Sequence, residues 1–119
     1  MAQGLDSNGW PCATPRLAVD MTQSGEYPDG AVVDSSGNIW CAQWGSARVS
    51  CYNPQGKLLH QEYIGATNVS CPAFAGDSSR LFCTSARQGI SAENVTSRDG
   101  QTFETQVNAT GQLEHSIEI

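Results

Sequence analysis

The chain has 119 residues, with 6 Lys and Arg against 12 Asp and Glu for a net charge of −6, and 39% of its residues are hydrophobic. This length holds one domain at most, the apolar content argues against disorder, and so acidic a chain is poorly suited to nucleic acid or anionic lipid. No apolar run is long enough for a membrane span, and the opening Met1–Asp6 has neither a basic nor an apolar stretch of the secretory kind, so no membrane partner and a cytoplasmic location are expected.

In chain order, residues 1–14 read as an irregular segment and Arg16 to Val19 as one loose strand. Gly30 to Val33 is a near-continuous apolar run, as expected of an inner strand buried on both faces. Asp34 to Asn38 reads as a hairpin loop, Asn38 to Gln43 as a second strand and Arg48 to Tyr52 as a third. Asn53-Pro54-Gln55-Gly56 has Pro second and Gly fourth, the signature of a type I turn. Lys57 to Ile64 completes a four-stranded unit. A second unit follows with strands at Ser70 to Ala75, Arg80 to Ser85, Gln101 to Val107 and Gln112 to Ile119, and a turn at Asn108 to Gly111. No stretch carries a helical apolar period.

The two units share words. Asn53-Pro54-Gln55-Gly56-Lys57-Leu58-Leu59-His60 matches Asn108-Ala109-Thr110-Gly111-Gln112-Leu113-Glu114-His115, and Asp34-Ser35-Ser36-Gly37-Asn38-Ile39-Trp40-Cys41 matches Asp77-Ser78-Ser79-Arg80-Leu81-Phe82-Cys83. The greater distance between the rear words fits a polar insertion around Gln88 to Asp99. Repeated four-stranded units of roughly 40–50 residues read as β-propeller blades. A sandwich would space its strands evenly but would not repeat Asn-x-x-Gly at matched places. The fold class is therefore all-β, a partial propeller of two blades and one extra strand. A ring closes with about four to eight blades. The unpaired blade faces, with Val33, Ile39, Trp40 and Phe82, are expected to drive self-association or to accept missing blades.

The remaining motifs are weak. Cys12, Cys41, Cys51, Cys71 and Cys83 include no Cys-x-x-Cys pair, so they read as small buried side chains in a reducing compartment. Three Asn-x-Ser/Thr triplets, at Asn68, Asn94 and Asn108, fit chance in a Ser- and Thr-rich chain. Asp34 to Asn38 is not a calcium loop, because its glycine falls fourth instead of sixth and Gly45 stands where the closing Glu is needed. His60 and His115 occupy equivalent places and read as structural surface residues. Trp44 and Arg87 follow strands pointing to one end of the channel, where they either line the rim or pack between blades. From the residues alone, Asp29-Gly30 is a turn that caps a strand.

Several words together resemble the SMP-30/gluconolactonase family, which includes regucalcin. They are Tyr27-Pro28-Asp29-Gly30-Ala31-Val32-Val33-Asp34, Gly37-Asn38-Ile39-Trp40-Cys41-Ala42-Gln43-Trp44-Gly45, Arg48-Val49, Tyr52-Asn53-Pro54-Gln55-Gly56, Val69-Ser70-Cys71-Pro72-Ala73-Phe74-Ala75-Gly76 and Leu81-Phe82-Cys83-Thr84-Ser85-Ala86-Arg87. The resemblance runs from about residue 15 to 113, so residues 15–119 are expected to form the propeller part. It implies a six-bladed propeller that hydrolyses sugar lactones with a divalent metal ion at the channel mouth, Ca²⁺, Zn²⁺, Mn²⁺ or Mg²⁺. In that family the metal is held by a Glu, an Asn and the Asp of Pro-Asp-Gly, and only the Asp has a match here. Asp29 is thus implied as both metal ligand and catalytic base. The other ligands and the substrate contacts have no counterpart, so metal binding by this chain alone is expected to be weak and lactone hydrolysis absent. The alternative is a non-catalytic β module, or a calcium-binding regucalcin-like protein, that completes its ring with another chain.

Overall fold

A computed structural model describes residues 1–113. Seven strands form two antiparallel sheets, and no helix occurs among the described residues. The first sheet runs β1 (Tyr27–Val33), β2 (Ile39–Trp44), β3 (Arg48–Tyr52), β4 (Leu58–Tyr63), in that spatial order. The second runs β5 (Asn68–Phe74), β6 (Arg80–Ala86), β7 (Thr102–Gln106). Each sheet is a simple meander, so every strand pairs with its neighbour in sequence. The strands lie where the alternating and apolar runs place them, within a few residues at each end.

Two expectations change, and a third lies outside the described residues. The strand foreseen at Arg16 to Val19 is reduced to a single bridge between Arg16 and Ala2, and Leu17 to Asp20 is irregular. The strand foreseen at Gln112 to Ile119, with His115, falls almost wholly outside the described residues; just before it, Gly111 bridges Asp34 of the first sheet. The inner strand β1 is not buried on both faces. It is the edge of its sheet, and alternation turns only Val32 toward the core while Ala31 and Val33 stay exposed.

The core lies between the sheets. β5 packs across β1 and β2. On the facing side of the first sheet, register pairs Trp40 with Cys51 and Ala42 with Val49. These four meet Val69, Leu81, Cys83 and Val107, with Phe74 and Phe103 at the margin. Trp40 is therefore 2% exposed instead of lying on an uncovered blade face. Its ring meets Phe74 edge-on at 5.8 Å and His60 at 6.1 Å. A buried indole N–H needs an acceptor, and Trp40 Nε1 donates to Asp34 Oδ2 at 3.0 Å. Asp34 also accepts from the backbone N–H of Ser36 and Asn38 and from Asn38 Nδ2. Burial pushes this carboxyl up, but the four hydrogen bonds outweigh it and hold Asp34 below the usual carboxylate value. The hairpin loop and the core thus share one carboxylate.

Leu81 is fully buried at the centre of this layer. Leu81→Ala is expected to lower the unfolding free energy by about 2–5 kcal/mol, the range for emptying a packed leucine site. Urea titration followed by tryptophan fluorescence measures this, and a change below the lower bound would show the layer to be loosely packed.

Candidate functional site

One end of the two sheets gathers Asp29 and the longer connections. The register pairs Tyr27 with Trp44, Arg48 with Tyr63 and Asn68 with Ala86, so the starts of β1 and β5 lie at the same end as the turn 45–47, the linker 64–67 and the loop 87–101. Asp29 stands there, exposed. The pairing of β1 with β2 shifts between Pro28 and Ala31, so Asp29 and Gly30 together oppose the single residue Ala42. Such a bulge kinks the strand and re-aims a side chain. Asp29 lies beside the Cys41 thiol. Burial pushes that thiol up; a hydrogen bond from the Asp29 backbone opposes this, and the Asp29 and Glu26 carboxylates add to it.

Among the described residues no group of three His, Cys, Asp or Glu side chains converges on a point that holds a metal ion. One carboxylate does not fit a divalent ion, which takes about six oxygen ligands when it is Ca²⁺. The residues present therefore do not make a metal centre by themselves. His60 lies elsewhere, on the edge of Trp40, with its Nε2 3.1 Å from Glu62 Oε2.

Below Asp29 runs a polar chain that the sequence analysis did not single out. Gln43 is fully buried on the side of the first sheet away from β5. Its Nε2 donates to Glu26 Oε2 at 3.1 Å and to the Tyr52 hydroxyl at 2.9 Å, and its Oε1 accepts from Arg48 Nε at 2.7 Å and Ser50 Oγ at 2.9 Å. Arg48 also pairs with Glu26. All four capacities of the Gln43 amide are used, which is what a buried amide requires. Only the spacing of Gln43 and Arg48 across a short turn hinted at this; Glu26 precedes the strand and carries no pattern. A cavity of about 440 Å³ opens on the same side, between Leu17, Val19 and Met21 of the N-terminal segment and Pro28, Ile39 and Tyr52 of the sheet. Ile39 is thus half-covered by the chain's own N-terminal segment.

Polar pins hold the loops at this end. Asp99 is fully buried and accepts from Thr67 N at 2.7 Å and from Thr96 N and Oγ1, both at 2.8 Å. Arg98 donates to the carbonyls of Gly65 and Ile64 and lies over the Phe103 ring at 4.7 Å. Arg87 Nε donates to the Asp99 carbonyl at 2.8 Å, which makes Arg87 a clasp of the loop 87–101. Asn68 Nδ2 donates to Gln88 O, so this sequon asparagine is an internal tie, 5% exposed. Trp44 ends β2 opposite Tyr27, half-buried.

The comparisons with known proteins agree with this architecture. Residues 1–87 match the family described as the SMP-30/Gluconolactonase/LRE-like region. The chain is 36% identical over 110 residues to 6-deoxy-6-sulfogluconolactonase of Pseudomonas putida, covering 90% of this chain and 38% of that protein. It is 39% identical over 83 residues to L-arabinolactonase of Azospirillum brasilense, covering 70% of this chain and 27% of that one. The crystal structure of a calcium-binding protein, regucalcin, from Agrobacterium tumefaciens superposes with a TM-score of 0.86 at 34% identity, over 94% of this chain and 39% of that one. This chain belongs to the SMP-30/gluconolactonase/LRE-like family and forms part of its propeller. It spans less than two-fifths of the length of these relatives.

Two outcomes follow from this geometry. The hydrogen bonds from Thr96 and Thr67 hold Asp99 at about 2, below its ordinary 3.8. The folded chain then keeps Asp99 ionised where the unfolded chain binds a proton, so the stabilisation is present above 3.8 and is lost as pH falls from 3.8 towards 2. Asp99→Asn is expected to flatten the stability profile across that window, measured by denaturant midpoints at stepped pH. Second, Cys12 and Cys71 are exposed, while Cys41, Cys51 and Cys83 are buried; burial pushes Cys51 up to about 11 and Cys83 to about 12. An aromatic disulfide reagent should titrate Cys12 and Cys71 rapidly in the folded chain and the other three only after denaturation. Fast reaction at Cys83 would contradict the packing.

Proposed function

We propose that this chain supplies two blades of a divalent-metal-dependent sugar lactone hydrolase, with Asp29 as the carboxylate that serves the reaction. The observation that carries the reading is Asp29 itself: an exposed acid in a strand bulge at the loop-bearing end of the inner strand, within a segment that matches a family whose relatives include an L-arabinolactonase and a sulfogluconolactonase. The similarity to a calcium-binding regucalcin supports the use of a divalent cation. The cation's remaining ligands would come from outside the residues present here, so no reaction step is assigned to it.

The part of Asp29 is proton transfer. In lactone hydrolysis a water oxygen bonds to the ring carbonyl carbon, the ring C–O bond breaks, and the water proton must leave. An ionised carboxylate at the mouth accepts that proton and returns one to the departing ring oxygen. The groups that orient the sugar ring are expected to come from the remaining blades, and without them lost positioning removes several kcal/mol of barrier lowering. Purified chain should therefore not hydrolyse sugar lactones. Fused behind the upstream blades of the Pseudomonas putida relative, it should. In that fusion Asp29→Asn should cut turnover by about 10²–10⁴-fold, as expected for loss of a general base. Robust hydrolysis by the isolated chain would reject the need for further blades. Undiminished turnover by the Asp29→Asn fusion would reject Asp29.

A further inference from the structure

We propose that Gly30 is a positioning residue for Asp29, acting through a seam between the two sheets in which one strand bulge is seated on another. The proposal rests on the reading of Asp29 as the functional carboxylate.

Both inner strands are irregular at the same level. β1 sets two residues, Asp29 and Gly30, against the single Ala42 between Pro28 and Ala31. β5 holds an extra residue, Ser70, between Val69 and Cys71. The two irregularities touch. A Cβ at position 30 would lie 2.7 Å from the Ser70 carbonyl oxygen, 2.9 Å from Cys71 Cα and 3.0 Å from Cys71 Sγ. The first two are backbone positions, so no rotamer change relieves the contact. Gly30 needs no left-handed conformation, unlike the turn glycines. Its lack of a side chain serves close approach alone.

β5 is fixed at this level by more than packing. Ser70 Oγ and Thr84 Oγ1 lie 2.8 Å apart, and Thr84 Oγ1 donates to the Cys71 carbonyl at 3.4 Å. Asn68, two residues earlier, is tied to Gln88. The second sheet thus presents a rigid ledge on which the Gly30 backbone rests. Asp29, the other residue of the bulge, lies beside Cys41. The ledge sets the height of the β1 bulge and with it the direction of the Asp29 carboxylate. A side chain at position 30 would lift β1 from β5 and swing Asp29 without removing it.

The test uses the full chain, with Mn²⁺ as a weakly held paramagnetic probe at substoichiometric level and amide NMR as the readout. In the native chain, broadening centred on Asp29 should include Gly30 and, across the seam, Ser70 and Cys71. Gly30→Ala should keep the broadening at Asp29 and reduce it severalfold at Ser70 and Cys71, because the effect falls steeply with distance. Val107→Ala, which weakens the core away from the seam, should leave the ratio unchanged. If Gly30→Ala does not fold, methylthiolation of Cys71 in a folded Cys12→Ser chain crowds the seam from the opposite side and should move the ratio the same way. An unchanged ratio in folded Gly30→Ala or in the methylthiolated chain overturns the positioning role and leaves Asp29 in place. Absence of broadening at Asp29 in the native chain overturns this proposal, whereas undiminished turnover by the Asp29→Asn fusion overturns the reading of Asp29 on which it rests.

Discussion

The apolar layer between β5 and the inner half of the first sheet is the contact around which the rest of the chain is arranged. Neither sheet is wide enough to bury a face alone, and a repeat unit of this kind is stable only when its neighbour covers it. Trp40 concentrates the constraint. Its ring fills the layer against Phe74, and its N–H reaches Asp34 in the hairpin at the sheet's end. The same carboxylate closes the hairpin through two backbone N–H groups. Turn geometry and core packing are therefore one interaction, and the buried charge stays ionised because its lone pairs are occupied.

The opposite end is held by polar pins. Three segments meet there that are remote in sequence: the turn after β2, the linker between the sheets, and the long loop after β6. Their backbone groups cannot pair in a ladder and need other partners. Ala47 meets this by accepting from Ile64 N and donating to Thr67 O, in the one left-handed non-glycine conformation of the described residues. Asp99 and Arg98 then fix the linker from the far side. Asp29 stands at this same end, on a scaffold whose loops are tied to each other.

Two further features qualify the picture of blades with bare flanks. The flank of the first sheet away from β5 carries the Gln43–Glu26–Arg48–Tyr52 chain and lies partly under the N-terminal segment. Arg16 anchors that segment to the Pro54 carbonyl at 3.0 Å. This face combines an apolar cavity with a satisfied polar network, so it tolerates cover of mixed character. The outer face of the second sheet is mixed, with Phe82 under the Arg80 guanidinium at 5.4 Å and the Glu104 carboxylate gripping Arg80 at 2.8 Å through both oxygens in an ion pair. It is exposed and adds little stability, as exposed ion pairs generally do.

The strand order, the turns and the two-unit repeat were legible in the sequence because they depend on local alternation and turn chemistry. Asp29 stood out through the family resemblance, whereas its flanking residues alone read as a turn. Which flank each strand presents was not legible: Trp40 and Ile39 are neighbours, yet one is sealed in the core and the other faces the N-terminal segment, because the pleat alternates and only the neighbouring sheet decides which side is inside. The polar chain around Gln43 was hidden because its members come from four separate segments. The close approach of Gly30 to β5 was hidden for the same reason, since Pro-Asp-Gly reads as a turn until β5 is laid against it. The sequence by itself determined a β fold of two matched units and one conspicuous acid. Only the tertiary structure decided where that acid stands and what holds it there, because those depend on distances between strands about forty residues apart, which no local pattern encodes.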